Sequence, residues 1–372
     1  MLPANERILL GPGPSLMSPS VMKALGAPML SHLDPQFVEI MDDVRARLAR
    51  VFRAEDRSFA FAVSGTGTAA METAIANLVA PDTRVLSVVT GYFADRLAQM
   101  ATRYGGDVNR VEADWGRAID PDQVRQALKA SGADVVTIVH AETSTGVLNP
   151  VKEVAAIARE HGALVIVDAV TSLGGMPLDA GGWGLDAVYS CSQKCLGAPS
   201  GMSPIVFSPR ALERKVLCRS FYFDVTLLED YWVRRKYHHT MSASLIYALR
   251  EALVGVEEEG LQARWARHER NHLAFATAIE GFGLSFLPLP GERLWTLNAV
   301  KVPPGVDDAA VRKYLLQKYN IEIGAGLGPL AGKVFRIGLM GASSSQELVD
   351  LLSGALETAM NSLVQGLHKP GS

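Results

Sequence analysis

One lysine stands apart from the other cations of this chain. Lys194 lies in the stretch Leu185 to Gly201, and no other charged residue occurs between Asp186 and Arg210. An ammonium among apolar and small neighbours loses hydration, which moves its pKa toward the neutral amine. A neutral amine is the nucleophile that a Schiff base to an aldehyde requires. The bland alternative is a lysine that snorkels from a strand end to water. Asp168 closes the apolar run Ala163 to Val167. A carboxylate at the end of a strand buried on both sides needs a partner. Either a protonated ring nitrogen or the backbone N–H groups of the following turn would serve. Arg336 interrupts the apolar strand Val334 to Leu339, so its guanidinium is either paired structurally or aimed at a substrate carboxylate. Glycines from Gly324 to Gly328 and at Gly332 suggest a close-fitting, mobile loop beside it.

A fourth feature is the turn Ser64-Gly65-Thr66-Gly67-Thr68, between a short apolar strand and a helix. Bare N–H groups at a helix start, with hydroxyls beside them, suit a phosphate. Gly65 to Ala70 also has the spacing of a dinucleotide fingerprint, which requires an acid at the end of the next strand. That position reads Val88-Val89-Thr90-Gly91, so a monophosphate fits better than a dinucleotide. A glycine turn without a ligand is the other reading.

The elements that must position these groups alternate. Strands are predicted at 59–63, 85–89, 108–112, 134–140, 163–167 and 185–189. Helices are predicted at 69–78, 92–103, 121–129 (capped by Asp120) and 151–161, after an amphipathic helix at 36–52. Such alternation builds right-handed crossovers and a mostly parallel sheet covered on both faces. Ligands bind beyond the carboxyl ends of such strands. That rule gathers the loops 64–68, 141–146 and 168–172 with the lysine loop. A long helical stretch, 244–280, with a break near Gly260, leads to a smaller unit: strand 294–302, helix 307–319, strand 321–323, strand 334–339 and helix 345–364. Residues 11–15, Gly-Pro-Gly-Pro-Ser, are a stiff extended arm whose glycines allow close approach to a ligand, or a plain linker. Residues His368 to Ser372 read as a loose tail.

Composition narrows the function. A length of 372 residues, 48% of them hydrophobic, suits a large core plus a smaller domain. A net charge of -3 gives no polyanion-binding surface, so nucleic acid is not an expected partner. The three cysteines, Cys191, Cys195 and Cys218, argue for a reducing cytoplasm rather than a disulfide scaffold, and they form no metal pattern. Neither a signal peptide nor a membrane span is read from the sequence.

Four stretches taken together resemble one family. They are Ser192 to Gly201 (Ser-Gln-Lys-Cys-Leu-Gly-Ala-Pro-Ser-Gly), Val167 to Gly175, His140 to Val147 and Gly332 to Gly341. Their residues and order resemble the class V pyridoxal-phosphate aminotransferases, nearest the alanine–glyoxylate and serine–glyoxylate (serine–pyruvate) subgroup, from Gly11 to about Leu363. The resemblance implies an α/β chain of PLP-dependent transferase fold type I. It implies an N-terminal arm (1–20), a large domain with a mostly parallel seven-stranded sheet (21–265) and a smaller C-terminal α+β domain (266–372).

It also implies roles around pyridoxal 5'-phosphate. Lys194 would hold the cofactor and move a proton, and Asp168 would pair its ring nitrogen. Val170 would pack on one ring face and Phe93, where many relatives have tryptophan, on the other. Thr66, Gly67, Thr68 (often histidine) and Gln193 would cradle the phosphate. Thr143, often serine, would bond the ring hydroxyl. Tyr237 and Thr240 would reach the phosphate of a neighbouring subunit, making a homodimer. Arg336 would hold the substrate carboxylate, with the Gly13 backbone nearby. Phe93 as ordinary core, and Tyr237, His238 and His239 as plain interface aromatics, are the competing readings. His140 reads as a satisfied buried histidine.

The activity so implied is transfer of an amino group from alanine or serine to glyoxylate or pyruvate. Aspartate–glyoxylate and pyridoxamine–pyruvate transamination are the nearest alternatives. A cysteine desulfurase needs a cysteine on the small-domain side, and none lies beyond Cys218. A nucleotide-binding dehydrogenase lacks its ribose acid.

Overall fold

The predicted strand–helix alternation folds, in a computed structural model that describes residues 7–367, around a seven-stranded sheet. The strand order is Phe59–Ser64, Met202–Phe207, Ala187–Tyr189, Leu164–Asp168, Val135–Val139, Arg84–Val89, Asp107–Glu112. Met202–Phe207 runs antiparallel to both neighbours, and the other pairings are parallel. Met202–Phe207 is not among the predicted strands; it is an interior strand despite Pro204. The predicted tail from His368 to Ser372 lies outside the described residues.

Local chemistry explains the helices. Pro35–Phe52 starts at Asp34, whose carboxylate accepts from Gln36 N at 2.8 Å, with Pro35 in the first turn. Phe37, Met41, Val44, Leu48, Val51 and Phe52 form its buried face. Each contributes about 2 kcal/mol through the apolar surface it removes from water. Pro121–Ser131 is capped by Asp120, as predicted, and ends at Gly132 in the left-handed region. The break predicted near Gly260 separates Ala243–Glu259 from Leu261–Gly281, with Gly260 at φ 78°.

Two large apolar clusters dominate among the described residues. One surrounds the large sheet. The other joins Phe275, Ile279, Val300, Leu315, Phe335, Ile337 and Leu352 around the three strands Leu297–Lys301, Val334–Gly338 and Gly324–Ala325. The N-terminal segment is more than a linker. Ile8–Leu9 pairs in parallel with Ile321–Glu322, and Leu10 is buried in the second cluster. That anchorage fixes where residues 11–15 cross the lysine loop: Ser15 N donates to Gln193 O at 2.9 Å and Ser15 Oγ to Lys194 O at 2.7 Å. Among the described residues, no helix is long and apolar enough to cross a membrane, and no cluster of three metal-ligating side chains occurs.

Candidate active site

Sheet register begins the site. Val139 is opposite Asp168, and Asp168 opposite Tyr189, so three strands end level. This brings the Tyr189 hydroxyl to Asp168, where it donates to Oδ2 at 2.9 Å, while Val170 N donates to Oδ1 at 2.8 Å. The turn-capping reading of Asp168 is therefore present, and the same carboxyl lines a cavity. Burial pushes its carboxyl up to about 7, against the pull of those two hydrogen bonds. A cationic N–H placed against it would restore the carboxylate. Burial, reinforced by the charge of Asp168, holds the Tyr189 phenol far above its ordinary value, so it remains a donor.

The 64–68 turn lies across the same cavity. Gly65 has φ +149°, and a Cβ there would sit 2.5 Å from Ala69 Cβ. Gly67 opens the helix Gly67–Leu78, and Thr66 at its N-cap makes no side-chain capping bond. The leading N–H groups of Gly67 and Thr68 find no acceptor among the described residues. Gly67 packs closely, since a Cβ on it would lie 3.2 Å from Val170 Cγ2 and 3.4 Å from Cys191 Cβ.

Lys194 lines the same cavity. Its Nζ donates to Pro12 O, and Gly13, at φ +110°, leaves room that a Cβ would close to 2.5 Å from Nζ. Burial lowers the Lys194 pKa, and the Arg336 charge adds to the effect. The loop is held from behind, where Arg264 Nη2 donates to Cys195 O at 2.6 Å while its Nη1 is paired with Glu259 at 2.6 Å.

The cavity, about 190 Å³, brings together Thr66, Gly67, Thr68, Phe93, Thr143, Asp168, Val170, Gln193 and Lys194. The side-chain oxygen of Gln193 is buried without a partner among the described residues. Thr143 and Thr171 share a 2.5 Å hydroxyl contact. Arg336 bonds Ala325 O through Nε at 2.6 Å, so the glycine loop packs on it, and its two amino groups have no partner among the described residues. Burial lowers it to about 10, which still leaves it charged at neutral pH. His140 is buried and bonded to Ser172 Oγ at 2.9 Å, as expected of a satisfied histidine.

Tyr237 and Thr240 do not line the cavity of their own chain. They meet at 3.4 Å on an exposed segment. Adjacent His239 ties this segment to the end of the strand Phe59–Ser64 through Ser64 Oγ at 2.9 Å.

Sequence reasoning missed several groups that shape the site. Glu142 is fully buried. It accepts from Ala94 N and Ser144 N at 3.0 Å each, from Ser144 Oγ at 2.6 Å, and from Phe93 N at 3.4 Å. It thereby caps the helix Tyr92–Arg103, whose own N-cap, Gly91, has no side chain. Gly91 permits this because a Cβ there would lie 2.5 Å from Glu142 Cγ. Arg96 and Cys191 also line the cavity. For Arg96, its position three residues after Phe93 on a predicted helix was an available signal.

A lysine of lowered pKa, a strand-end acid and an open helix start around one cavity suit a phosphate-bearing aldehyde. Comparison with known proteins agrees: residues 17–352 match the family model "Aminotransferase class-V". The chain belongs to that family and is an aminotransferase. It is 39% identical to the alanine–glyoxylate aminotransferase of Drosophila melanogaster, over 97% of this chain and 94% of that one. The crystal structure of an alanine–glyoxylate aminotransferase from Nostoc sp. superposes with a TM-score of 0.94 at 46% identity, covering 96% of each chain. That of the ureidoglycine–glyoxylate aminotransferase of Bacillus subtilis gives 0.95 at 36% identity, covering 98% of this chain and 95% of that one.

Proposed function

We propose that this enzyme binds pyridoxal 5'-phosphate on Lys194 and moves an amino group from a small amino acid, alanine or serine, to glyoxylate or pyruvate. The observation that carries the reading is one cavity bounded by Lys194, Asp168 and the unpartnered N–H groups of Gly67 and Thr68. Bound pyridoxal phosphate supplies an aldehyde that condenses with amines and a ring that accepts the electron pair freed at a substrate carbon. The residues do the rest. Asp168 would hold the ring nitrogen protonated, and Val170 and Phe93 would fix the ring plane. Thr143 would bond the ring hydroxyl, and Thr66, Gly67, Thr68 and Gln193 would anchor the phosphate. Lys194, its pKa lowered by burial and its amine held toward Gly13, would take and return the proton at the substrate carbon. Arg336 offers two free amino groups to one carboxylate. A single such guanidinium suits small monocarboxylates.

Each subunit's Tyr237 and Thr240 would reach the cofactor phosphate of the other in a homodimer. Exposed Met29, Leu33, Phe221 and Tyr237 support a covered surface there. The helix Leu261–Gly281 supports a domain boundary near 265, because Arg264 grips the lysine loop while Phe275 and Ile279 belong to the second cluster. Three free cysteines support a reducing, cytoplasmic setting.

Purified protein loaded with pyridoxal phosphate should absorb in the visible, and Lys194→Ala should abolish both that band and turnover. A panel of alanine, serine, aspartate and pyridoxamine against glyoxylate and pyruvate reads the donor. Turnover with alanine or serine at least ten times that with the others is expected. A colourless protein that takes up no cofactor ends the proposal.

A further inference from the structure

Arg96 is a cation without a carboxylate. No acidic side chain lies within ion-pair distance of it among the described residues, and its helix neighbour Asp95 is taken by Arg110 at 2.7 Å and Gln99 at 2.6 Å. The guanidinium lines the cofactor cavity. Its carbon lies 5.2 Å from the ring centroids of both Tyr92 and Phe93, which fixes its direction. Nη1 approaches Thr68 Oγ1 at 3.4 Å, a long and weak contact that leaves the fork free for a better acceptor. Around the 64–68 turn the other groups are neutral: hydroxyls, backbone N–H and the Gln193 amide. Lys194 is committed to Pro12 O. A phosphate monoester carries about -1.5 to -2 charges near pH 7. A helix start offers only about half a unit of opposing charge.

We infer that Arg96 is the fixed positive charge of the phosphate end of the site, binding the monoester jointly with Thr66, Gly67 and Thr68. This rests on the pyridoxal-phosphate reading above. The same fork would also suit a substrate carboxylate, and the test separates the two sources. The measurement is equilibrium binding to the apoenzyme, by absorbance titration, of pyridoxal phosphate and of pyridoxal, which lacks the phosphate. Wild type, Arg96→Gln and Arg96→Lys are compared. In Arg96→Gln the Kd for pyridoxal phosphate should rise about 10- to 100-fold, as for loss of a charge-assisted hydrogen bond. The Kd for pyridoxal should change less than about threefold. Arg96→Lys, which keeps charge but loses the fork, should fall between, and it also serves if the glutamine variant does not fold. An equal loss for both ligands overturns the inference and assigns Arg96 to holding Phe93. An unchanged Kd with a raised KM for the amino donor overturns it in favour of the substrate carboxylate. Wild-type apoenzyme that binds neither ligand removes the underlying function as well.

Discussion

Replacing Asp168 by asparagine should make the cofactor-free enzyme more stable at neutral pH. The substitution is nearly isosteric and both hydrogen bonds survive, since Asn Oδ1 accepts from Val170 N and its amide donates to the Tyr189 oxygen. What changes is the cost of a buried charge. In the folded apoenzyme the carboxyl titrates at about 7, against an ordinary value of 3.8. A raised acid favours folding while protonated. That contribution is complete below about pH 4 and is lost as pH rises through 7. About three units at about 1.4 kcal/mol each gives about 4 kcal/mol. Urea unfolding of apoenzyme at pH 4.5 and pH 8 reads it directly. The advantage of Asp168→Asn over wild type should grow by about 3 kcal/mol between the two, since the loss has already begun at pH 4.5. Pyridoxal phosphate should then stabilise wild type far more than the variant, because only the carboxylate pairs with a protonated ring nitrogen. An advantage that shifts by less than about 0.5 kcal/mol across that range would refute the assignment of Asp168 as a buried acid of raised pKa.

Two further outcomes follow from the same geometry. Glu142→Gln turns an amide N–H toward one of the donors of Phe93, Ala94 or Ser144, and should cost about 1–3 kcal/mol in urea unfolding. No loss would mean that the helix Tyr92–Arg103 does not depend on this cap. Arg336→Gln should raise KM for the amino donor about 10- to 100-fold while affecting cofactor binding little. An unchanged KM would move the carboxylate site elsewhere.

Much of the site could be read in order along the chain. A lysine without charged neighbours, an acid closing an apolar strand and a glycine-threonine turn before a helix are local patterns. The strand-end rule then places them at one sheet edge, whatever the strand order. The family motifs around Lys194 and Arg336 are equally local. Other features depend on residues far apart. Glu142 caps a helix that begins some fifty positions earlier, and the helix itself shows only a bare Gly91 at its start. Tyr189 reaches Asp168 because two parallel strands settle in one register. Ile8–Leu9 anchors beside Ile321–Glu322, which carries Pro12 and Gly13 over the lysine.

The sequence by itself marked the groups suited to chemistry, because desolvation, capping and strand-end placement follow from near neighbours. Tertiary structure alone decided how those groups are aimed and charged. The raised pKa of Asp168, the lowered pKa of Lys194 and the turn of Arg96 toward Thr68 each arise from burial and contacts made when distant segments pack.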